Sequence, residues 1–448
     1  MQPVTKSVTK SVTKSADAMP TAQDAQVDPT VELGAPGLSV YGGYVHEELL
    51  PQLSGGRAIQ VYREMSENDA TVGGILFAIR MMIRQAEWPI RAASGTPDDE
   101  MAAEFLRQCT VDMSHSWGEL LDEILSMLVF GHAPFETVYK RRLGAGGPVS
   151  SRYNDERIGW ARIPIRRQST IVEWVMDDNA RELLGMYQLA PPRWARVLIP
   201  GERLLLFRPT TQKGNPEGVS ILRTAYRAWY MKKHVEDMEA IGVERDLAGL
   251  PVVKIPAKLI AARSGTAEHT AYLSYQKAAT QIRQNEQAGL VMPSDCDPSS
   301  GKPLYEVQLL SSGGERQFAT NALVNRYAQR IAMSVLADFI LIGHEKTGSF
   351  ALASSKTEMF STALGAWLDA IQDVLNRYAI PRLFALNPEF RLSALPTFQH
   401  GDVETPDLAE LGAYISALSG AGIMLTGPEI EDHLRRVAGL PTSEAEER

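Results

Sequence analysis

The sequence predicts an α+β fold, because amphipathic helices and short strands occupy separate stretches of the chain. Apolar residues recur with helical spacing in residues 58–90, 116–130, 221–246, 314–340 and 355–380. Short apolar runs between Pro and Gly residues mark residues 158–210 as β-rich. A small module follows, with strands at 250–255 and 289–292 and a helix at 272–282. With 448 residues, the chain is long enough for about two to four domains or subdomains.

The composition limits the classes of protein to which this chain can belong. Hydrophobic residues make up 44% and charged residues 22% of the chain, as in soluble globular proteins. The net charge of −9 argues against a surface that grips phosphates broadly. Cys109 and Cys296 stand outside any zinc-ligand spacing, so we expect no zinc site and no disulfide framework. The longest apolar run, residues 124–130, is shorter than the ~20 residues of a membrane helix, and no signal peptide opens the chain. We therefore expect a soluble intracellular protein with no membrane span, no metal and no cofactor.

The first 35 residues form a polar arm that lacks the large apolar side chains needed for a core. The tetrapeptide Val-Thr-Lys-Ser repeats three times, in residues 4–15. A period of four with no hydrophobic face cannot build a solenoid, so we interpret residues 1–35 as a disordered, low-complexity arm.

Two helical stretches precede the β-rich region. Apolar residues from Tyr62 to Ile83 predict one continuous helix that ends near Trp88. Ser116 and Glu119 then form a capping box, in which each side chain bonds the backbone N–H of the other residue. This box predicts the start of a second helix.

Two long helices enclose the small module. Ser220 ends a Gly-rich turn and is placed to cap a helix over residues 221–246. A capping box at 312–315 precedes the second long helix, and another at 355–358 opens a third. We expect this third helix to end before Pro381, because proline disrupts a helix interior.

Charges are sorted along the helix at 221–246. The bases Arg223, Arg227, Lys232 and Lys233 come first, and the acids Glu236, Asp237, Glu239, Glu244 and Asp246 follow. This order opposes the helix macrodipole, which favours acids at the start and bases at the end. One interpretation is a solvated face with local ion pairs. The other is that copies of the helix pack side by side in a ring, where neighbouring subunits supply the partners.

Aromatic residues lie among these bases. Tyr226, Trp229 and Tyr230 give a pattern that also occurs in proteins that bind single-stranded nucleic acid. Because Leu222 and Trp229 continue one apolar face, packing is the favoured role. No HExxH, GxxxxGK[ST] or strand-linked GxGxxG motif is present, so the sequence predicts no metalloprotease, nucleotide or dinucleotide site.

One stretch imitates an enzyme signature. Lys346, Thr347 and Gly348 match a motif of penicillin-binding proteins and serine β-lactamases, which also need S-x-x-K and S-D-N. S-x-x-K matches at Ser7 and Ser11 lie in the arm, which cannot hold a catalytic pair rigidly, and S-D-N is absent. We therefore expect no enzyme activity, and interpret the stretch as a Gly-bounded connection between two helices.

The order of several short segments over residues 36–445 resembles the portal proteins of tailed bacteriophages, most closely the Mu-type portal family. The segments are 65–75 leading to 87–90, 121–140, 214–223 running into 229–233, 348–353, and 411–441. Each is short, and the resemblance rests on their order and spacing.

The resemblance implies a phage portal fold that assembles as a ring. It places a wing at 36–220, a first stem helix at 221–247, a small α/β clip at 248–313, a second stem helix at 314–340, a tunnel loop at 341–355, a return helix and further wing at 356–400, and a helical crown at 401–448. The arm at 1–35 lies outside the family pattern.

The resemblance also implies a function without enzymatic activity. A portal protein forms a dodecameric ring at one capsid vertex and is the channel for packaging and ejecting double-stranded DNA. The implied partners are further copies of the chain, the terminase large subunit, head–tail adaptor proteins, and the major capsid and scaffold proteins. The implied location is the virion, after assembly in the host cytoplasm. The alternative is another ring-forming head–tail connector or minor capsid protein, which would not need two stem helices around an inserted clip.

Candidate channel residues follow from the same resemblance. They are Gly343, His344, Glu345, Lys346, Thr347, Gly348 and Ser349 of the tunnel loop, and Arg223, Arg227, Lys232, Lys233, Glu236, Asp237, Glu239, Arg326 and Arg330 of the stem. Acidic channel walls repel phosphates, so the net charge suits a channel through which DNA must slide. Lys346 has the opposite charge to such acidic walls. As a basic side chain on a Gly-bounded loop, it is placed to contact passing phosphates.

Overall fold

The computed structural model describes residues 32, 34–248, 250–283, 292–310, 320–337 and 350–401. The helices are α1 (Gly55–Asn68), α2 (Ala70–Gln85), α3 (Pro97–Val111), α4 (Trp117–Ile124), α5 (Ser126–Phe130), α6 (Tyr226–Ala248), α7 (Ala257–Ile260), α8 (Ala267–Arg283), α9 (Thr320–Ser334), α10 (Phe350–Val374) and α11 (Ile380–Ala385). The strands are β1 (Val40–Tyr41), β2 (Tyr44–Val45), β3 (Ile90–Arg91), β4 (Ala133–Glu136), β5 (Val138–Leu143), β6 (Asn154–Arg162), β7 (Ile171–Met176), β8 (Leu183–Ala190), β9 (Ala195–Pro200), β10 (Leu204–Phe207), β11 (Leu250–Lys254), β12 (Glu306–Leu310) and β13 (Thr397–Phe398). This mixture confirms the α+β prediction. Among these helices, none combines the length and the apolar character needed to cross a membrane.

One large core joins the early helices to α10 and α11. Ile83 of α2, Leu120 of α4 and Phe360 of α10 have no exposed surface. Phe135 of β4 and Phe207 of β10 enter the same core edge to face, with ring centroids 5.4 Å apart. Each such side chain contributes about 1.5–3 kcal/mol by leaving water. The helical stripes of the sequence therefore place Ile83, Leu120 and Phe360 correctly in the core, whereas Tyr378 at the end of the third stripe is 49% exposed.

The continuous helix expected from residue 58 to Trp88 is wrong, because Asp69 divides it. Asp69 has extended backbone angles (φ −96°, ψ 118°) between α1 and α2. Its Oδ1 accepts hydrogen bonds from the N–H groups of Thr71 (2.9 Å) and Val72 (3.1 Å). Asp69 is thus the N-cap of a new helix, whereas the apolar spacing on its own continues across it.

The β-rich region predicted at 158–210 is confirmed, and its strands form three small antiparallel sheets together with β4 and β5, which precede it in the chain. β4 pairs with β10, β5 pairs with β6, and β7, β8 and β9 follow one another in a meander. In the meander Trp174, Met186 and Ile199 stand opposite one another. They pack with Leu38 and Val45 in a second, smaller core.

Of the two strands in the small module, β11 was predicted from the sequence and β12 was not. β11 pairs with β12 in antiparallel register, from Leu250 opposite Leu310 to Lys254 opposite Glu306. Lys254 Nζ lies 2.9 Å from Glu306 Oε2 across this pair. The helix expected at 272–282 lies within α8, and residues 289–291 of the other expected strand lie outside the described residues.

The third long helix differs from its prediction at both ends. α10 begins at Phe350, so Ser355 lies inside the helix and not at its N-cap. The helix also does not stop before Pro381. It widens into one π-helical turn at Leu375–Ala379 and continues as α11, with Pro381 in the first turn. That position tolerates proline, because the missing N–H would have no partner within the new helix.

A buried ion pair fixes β5 to the end of α3. Lys140 Nζ lies 3.0 Å from Asp112 Oδ2, and both side chains are almost fully buried. The ammonium group also donates to the carbonyl oxygens of Asp112 (2.5 Å) and Ser150 (2.8 Å). Asp112 accepts further hydrogen bonds from Ser151 Oγ (2.6 Å) and from Arg152 N–H (2.8 Å). Burial opposes ionisation of Asp112, but these hydrogen bonds and Lys140 outweigh it and hold its pKa below the usual value.

Candidate functional site

The candidate site is the pair of helices α6 and α9, which pack against each other. Ser220 Oγ accepts a hydrogen bond from Leu222 N–H at 3.1 Å, so Ser220 is a cap as predicted. It caps a short 3-10 helix, Ile221–Arg223, and α6 itself begins at Tyr226. The same hydroxyl donates to Val129 O at 2.5 Å, which fixes the start of the helix against the end of α5.

Three of the predicted stem bases are paired within their own chain. The Arg223 guanidinium makes two hydrogen bonds to the Glu48 carboxylate, at 2.5 and 2.7 Å. Lys233 Nζ contacts the Glu64 carboxylate and also lies 5.6 Å from the centre of the Trp229 ring. These contacts hold the 3-10 helix and the first half of α6 against Glu48 and α1.

Lys232 is the most buried of these bases. Its Nζ lies 2.8 Å from Asp69 Oδ2 and 3.2 Å from Glu236 Oε1. Burial lowers the pKa of the ammonium group, but Asp69 and Glu236 outweigh it and raise the pKa above the usual value. Asp69 thus caps α2 with one oxygen and binds α6 with the other. The unusual charge order of α6 is compensated here by acids of the same chain.

The other predicted stem charges lie on the surface or between the two helices. Arg227 and Asp237 are exposed. The Thr320 hydroxyl at the start of α9 donates to Glu239 Oε1, which links the two helices. Arg326 and Arg330 are exposed on α9. Their guanidinium carbons lie 5.1 and 5.8 Å from the centre of the Tyr327 ring between them.

The aromatic residues of α6 divide into a packed and an exposed group. Trp229 is buried in the large core, as the packing interpretation predicts. Tyr230 is 41% exposed, and its ring centroid lies 4.1 Å from that of His234. Tyr226 lies between the two environments, 6.0 Å from each of the other two rings.

Both helices also expose large apolar side chains. On α6 these are Met231, Met238 and Ile241, which are 39%, 68% and 47% exposed. On α9 Met333 is 60% exposed. A helix that is held firmly on one side and apolar on its open side is suited to contact another chain.

The S-x-x-K motif of serine acyl-enzymes recurs in the described part of the chain. Two further S-x-x-K matches, at 274–277 and 299–302, have both their Ser and their Lys side chains exposed. Among the described residues, no group of three His, Cys, Asp or Glu side chains could hold a metal ion. The predicted loop residues Gly343, His344, Glu345, Lys346, Thr347, Gly348 and Ser349 lie outside the described residues.

Comparison with known proteins gives a family match and similar solved structures. The family model of the portal protein of Mu bacteriophage matches residues 59–440. The chain is 15% identical to a chain of the neck of an empty GTA particle, with a TM-score of 0.48, over 86% of this chain and 94% of that one. It is 14% identical to a chain of the virion of a native gene transfer agent particle, with a TM-score of 0.47 and the same coverage. It is 12% identical to an HK97-family phage portal protein from Corynebacterium diphtheriae, with a TM-score of 0.43, over 78% of this chain and 98% of that one.

Proposed function

The chain belongs to the family of the Mu bacteriophage portal protein, and we propose that it forms a dodecameric ring at one vertex of a phage capsid. In this proposal double-stranded DNA is packaged and later ejected through the central channel of the ring. The observation that supports it most strongly is the family match, which extends over residues 59–440 and therefore includes α6 and α9. Membership also confirms the resemblance noted from the sequence, and the family is a structural one.

The exposed faces of α6 and α9 support contact between neighbouring copies. Met231, Met238 and Ile241 recur on one side of α6, while Lys232 and Lys233 hold the other side to the chain's own acids. Burying such side chains against the next subunit would stabilise an assembly by about 25 cal/mol per Å² of apolar surface. A contact between two different surfaces closes a ring when it is repeated around one axis.

The proposed parts follow the family order. Residues 36–220 and 356–400 form the wing, 221–247 and 314–340 the stem, 248–313 the clip, 341–355 the tunnel loop and 401–448 the crown. We propose that the clip binds first the terminase large subunit and later the head–tail adaptor. The major capsid protein, the scaffold protein and the virion location belong to the same proposal.

Electron microscopy of the purified full-length protein tests the assembly directly. We expect closed rings with twelve-fold symmetry and an axial hole. A matched pair of variants locates the interface: Met238→Glu places a charge in the proposed contact and should shift rings to smaller species, whereas Met101→Glu, the same change at an exposed methionine of α3, should leave rings intact. Open filaments would contradict the proposed ring, and so would monomers at high concentration that also fail to enter capsids.

The tunnel loop gives a second functional expectation. If Lys346 contacts phosphates in the channel, Lys346→Ala particles should package or retain less DNA, and the deficit should shrink as salt screens the contact. Quantifying packaged DNA at several ionic strengths measures this. Equal packaging and retention by wild-type and Lys346→Ala particles at every salt concentration would remove Lys346 from the channel mechanism.

A further inference from the structure

A cavity of about 470 Å³ lies between the start of α1, the β1–β2 hairpin, β7 and the turn before Ser220, and Arg223 is part of its lining. Apolar side chains of Val45, Ile59 and Trp174 form part of its wall. The volume lies in the range of about 300–1,000 Å³ that is usual for small-ligand sites. The cavity can therefore hold a group the size of a long side chain.

One of the carboxylates that line the cavity has no ion-pair partner among the described residues. Four glutamates line it: Glu47, Glu48, Glu173 and Glu217. Three pair with bases of the same chain, Glu47 with Lys213 at 3.0 Å, Glu48 with Arg223 at 2.5 Å, and Glu173 with Arg196. Among the described residues, no cation lies within ion-pair distance of Glu217.

Glu217 is held in place by its surroundings. Its Oε1 accepts a hydrogen bond from Trp174 Nε1 at 3.3 Å, while its Oε2 has no partner among the residues of the described chain. Its backbone N–H donates to Asn215 Oδ1 at 2.9 Å, and its carbonyl oxygen accepts from His132 Nδ1 at 3.1 Å. Burial raises the pKa of the carboxyl group, and the Trp174 hydrogen bond and the charge of His46 oppose this only in part. A cation would relieve this cost of burial.

Two glycines allow the close contact between the end of α5 and the turn that carries Glu217. Gly131 has a φ of +86°, and a Cβ atom there would lie 2.7 Å from Glu217 O. Gly218 has a φ of +57°, and its Cβ would lie 2.2 Å from Gly131 O. Only glycine allows both the left-handed backbone and this close approach. The position of Glu217 thus depends on glycine at both residues of this contact, Gly131 and Gly218.

We propose that this cavity binds an alkylguanidinium group, with the guanidinium on the Glu217 carboxylate and the alkyl stem against Trp174 and Ile59. A guanidinium suits the site better than an ammonium, because it is less strongly hydrated and also interacts favourably with an indole ring. The group could be a free alkylguanidine or the side chain of an arginine on another chain. The proposal does not depend on the proposed function.

Thermal unfolding of the full-length protein with n-butylguanidinium tests the site, and n-butylurea is the neutral probe of the same shape. We expect a saturable rise in Tm with the cation and none with the urea. Glu217→Gln should weaken the apparent affinity about tenfold, as expected for losing one charge-assisted hydrogen bond. The exposed Glu87→Gln is the matched control and should bind as wild type does. Because Gln has nearly the shape of Glu, a folded Glu217→Gln protein is expected.

The same titration distinguishes the two sources of the group. If assembled and dissociated protein both bind n-butylguanidinium, the site takes a free ligand. If only dissociated protein binds it, an arginine of another chain fills the site in the assembly. Absence of a saturable shift in both forms, or equal affinity of wild type and Glu217→Gln, would overturn the proposal.

Discussion

Lys140→Met lowers the free energy of unfolding by about 3–5 kcal/mol, which is the usual cost of leaving one partner of a buried ion pair alone. The methionine has a similar length and removes three contacts of the ammonium group: Asp112 Oδ2, Asp112 O and Ser150 O. The Asp112 carboxylate then stays buried with only Ser151 and Arg152 as donors. Urea denaturation of wild type and variant, in the same oligomeric state, measures the difference.

The double variant Lys140→Met, Asp112→Asn separates the ion pair from the packing. The neutral amide should recover part of the loss, because no charge remains buried without a partner. Arg84→Met is a control at the exposed ion pair of Arg84 with Asp122, where the expected loss is within about 1 kcal/mol. If Lys140→Met cost no more than Arg84→Met, the buried pair would not be a main source of stability in this region.

Several parts of the fold could be predicted from local patterns in the sequence. The capping box at Ser116 is confirmed, with Glu119 N–H bonded to Ser116 Oγ at 3.1 Å and Ser116 N–H to Glu119 Oε2 at 2.8 Å. Apolar spacing located Ile83, Leu120 and Phe360 in the core. The break at Asp69 was missed because the apolar period continues through it, although an Asp before a helical run is itself a cap signal.

The candidate site could be predicted only in part, since its partners are distant in sequence. The sequence showed that the charges of α6 are unfavourably ordered, but Asp69 lies 163 positions from Lys232 and Glu48 lies 175 from Arg223. No local pattern joins such residues, and the helices bring them together only when the core forms. The ring interpretation of the charge order is therefore not needed for Arg223, Lys232 and Lys233, whereas Arg227, Asp237, Arg326 and Arg330 stay available for contacts outside the chain.

Acidification should destabilise the protein through His132, which stands between α5 and β4. Its ring is buried, and burial lowers the pKa to about 4. The Arg208 charge acts in the same direction, while hydrogen bonds to the carbonyls of Glu217 and Phe130 oppose it. Since a carbonyl only accepts, Nδ1 must carry the proton that lies on Glu217 O. The folded protein thus holds a neutral imidazole with one defined tautomer.

The sign of the effect follows from proton binding. Below about pH 6.5 the unfolded chain protonates His132 and the folded chain does not, so stability falls until the pH reaches about 4. A shift of this size corresponds to about 3 kcal/mol. Glu217, whose pKa is raised, acts in the opposite direction, because its protonation as the pH falls favours the folded state. The loss expected in wild type is therefore smaller than the His132 contribution alone.

The His132→Asn variant isolates this contribution. The Asn amide can donate to Glu217 O in place of Nδ1 but does not titrate, so the variant should lose stability at pH 7 and yet show a flatter dependence between pH 6.5 and 4.5. Urea denaturation at half-unit pH steps gives both the free energy of unfolding at pH 7 and its dependence on pH. The control variant, His234→Asn on the exposed side of α6, should show the same pH dependence as wild type. In Glu217→Gln the opposing group is gone, so acidification should weaken the protein more steeply than in wild type. A His132→Asn curve parallel to wild type would show that another group governs the acid response.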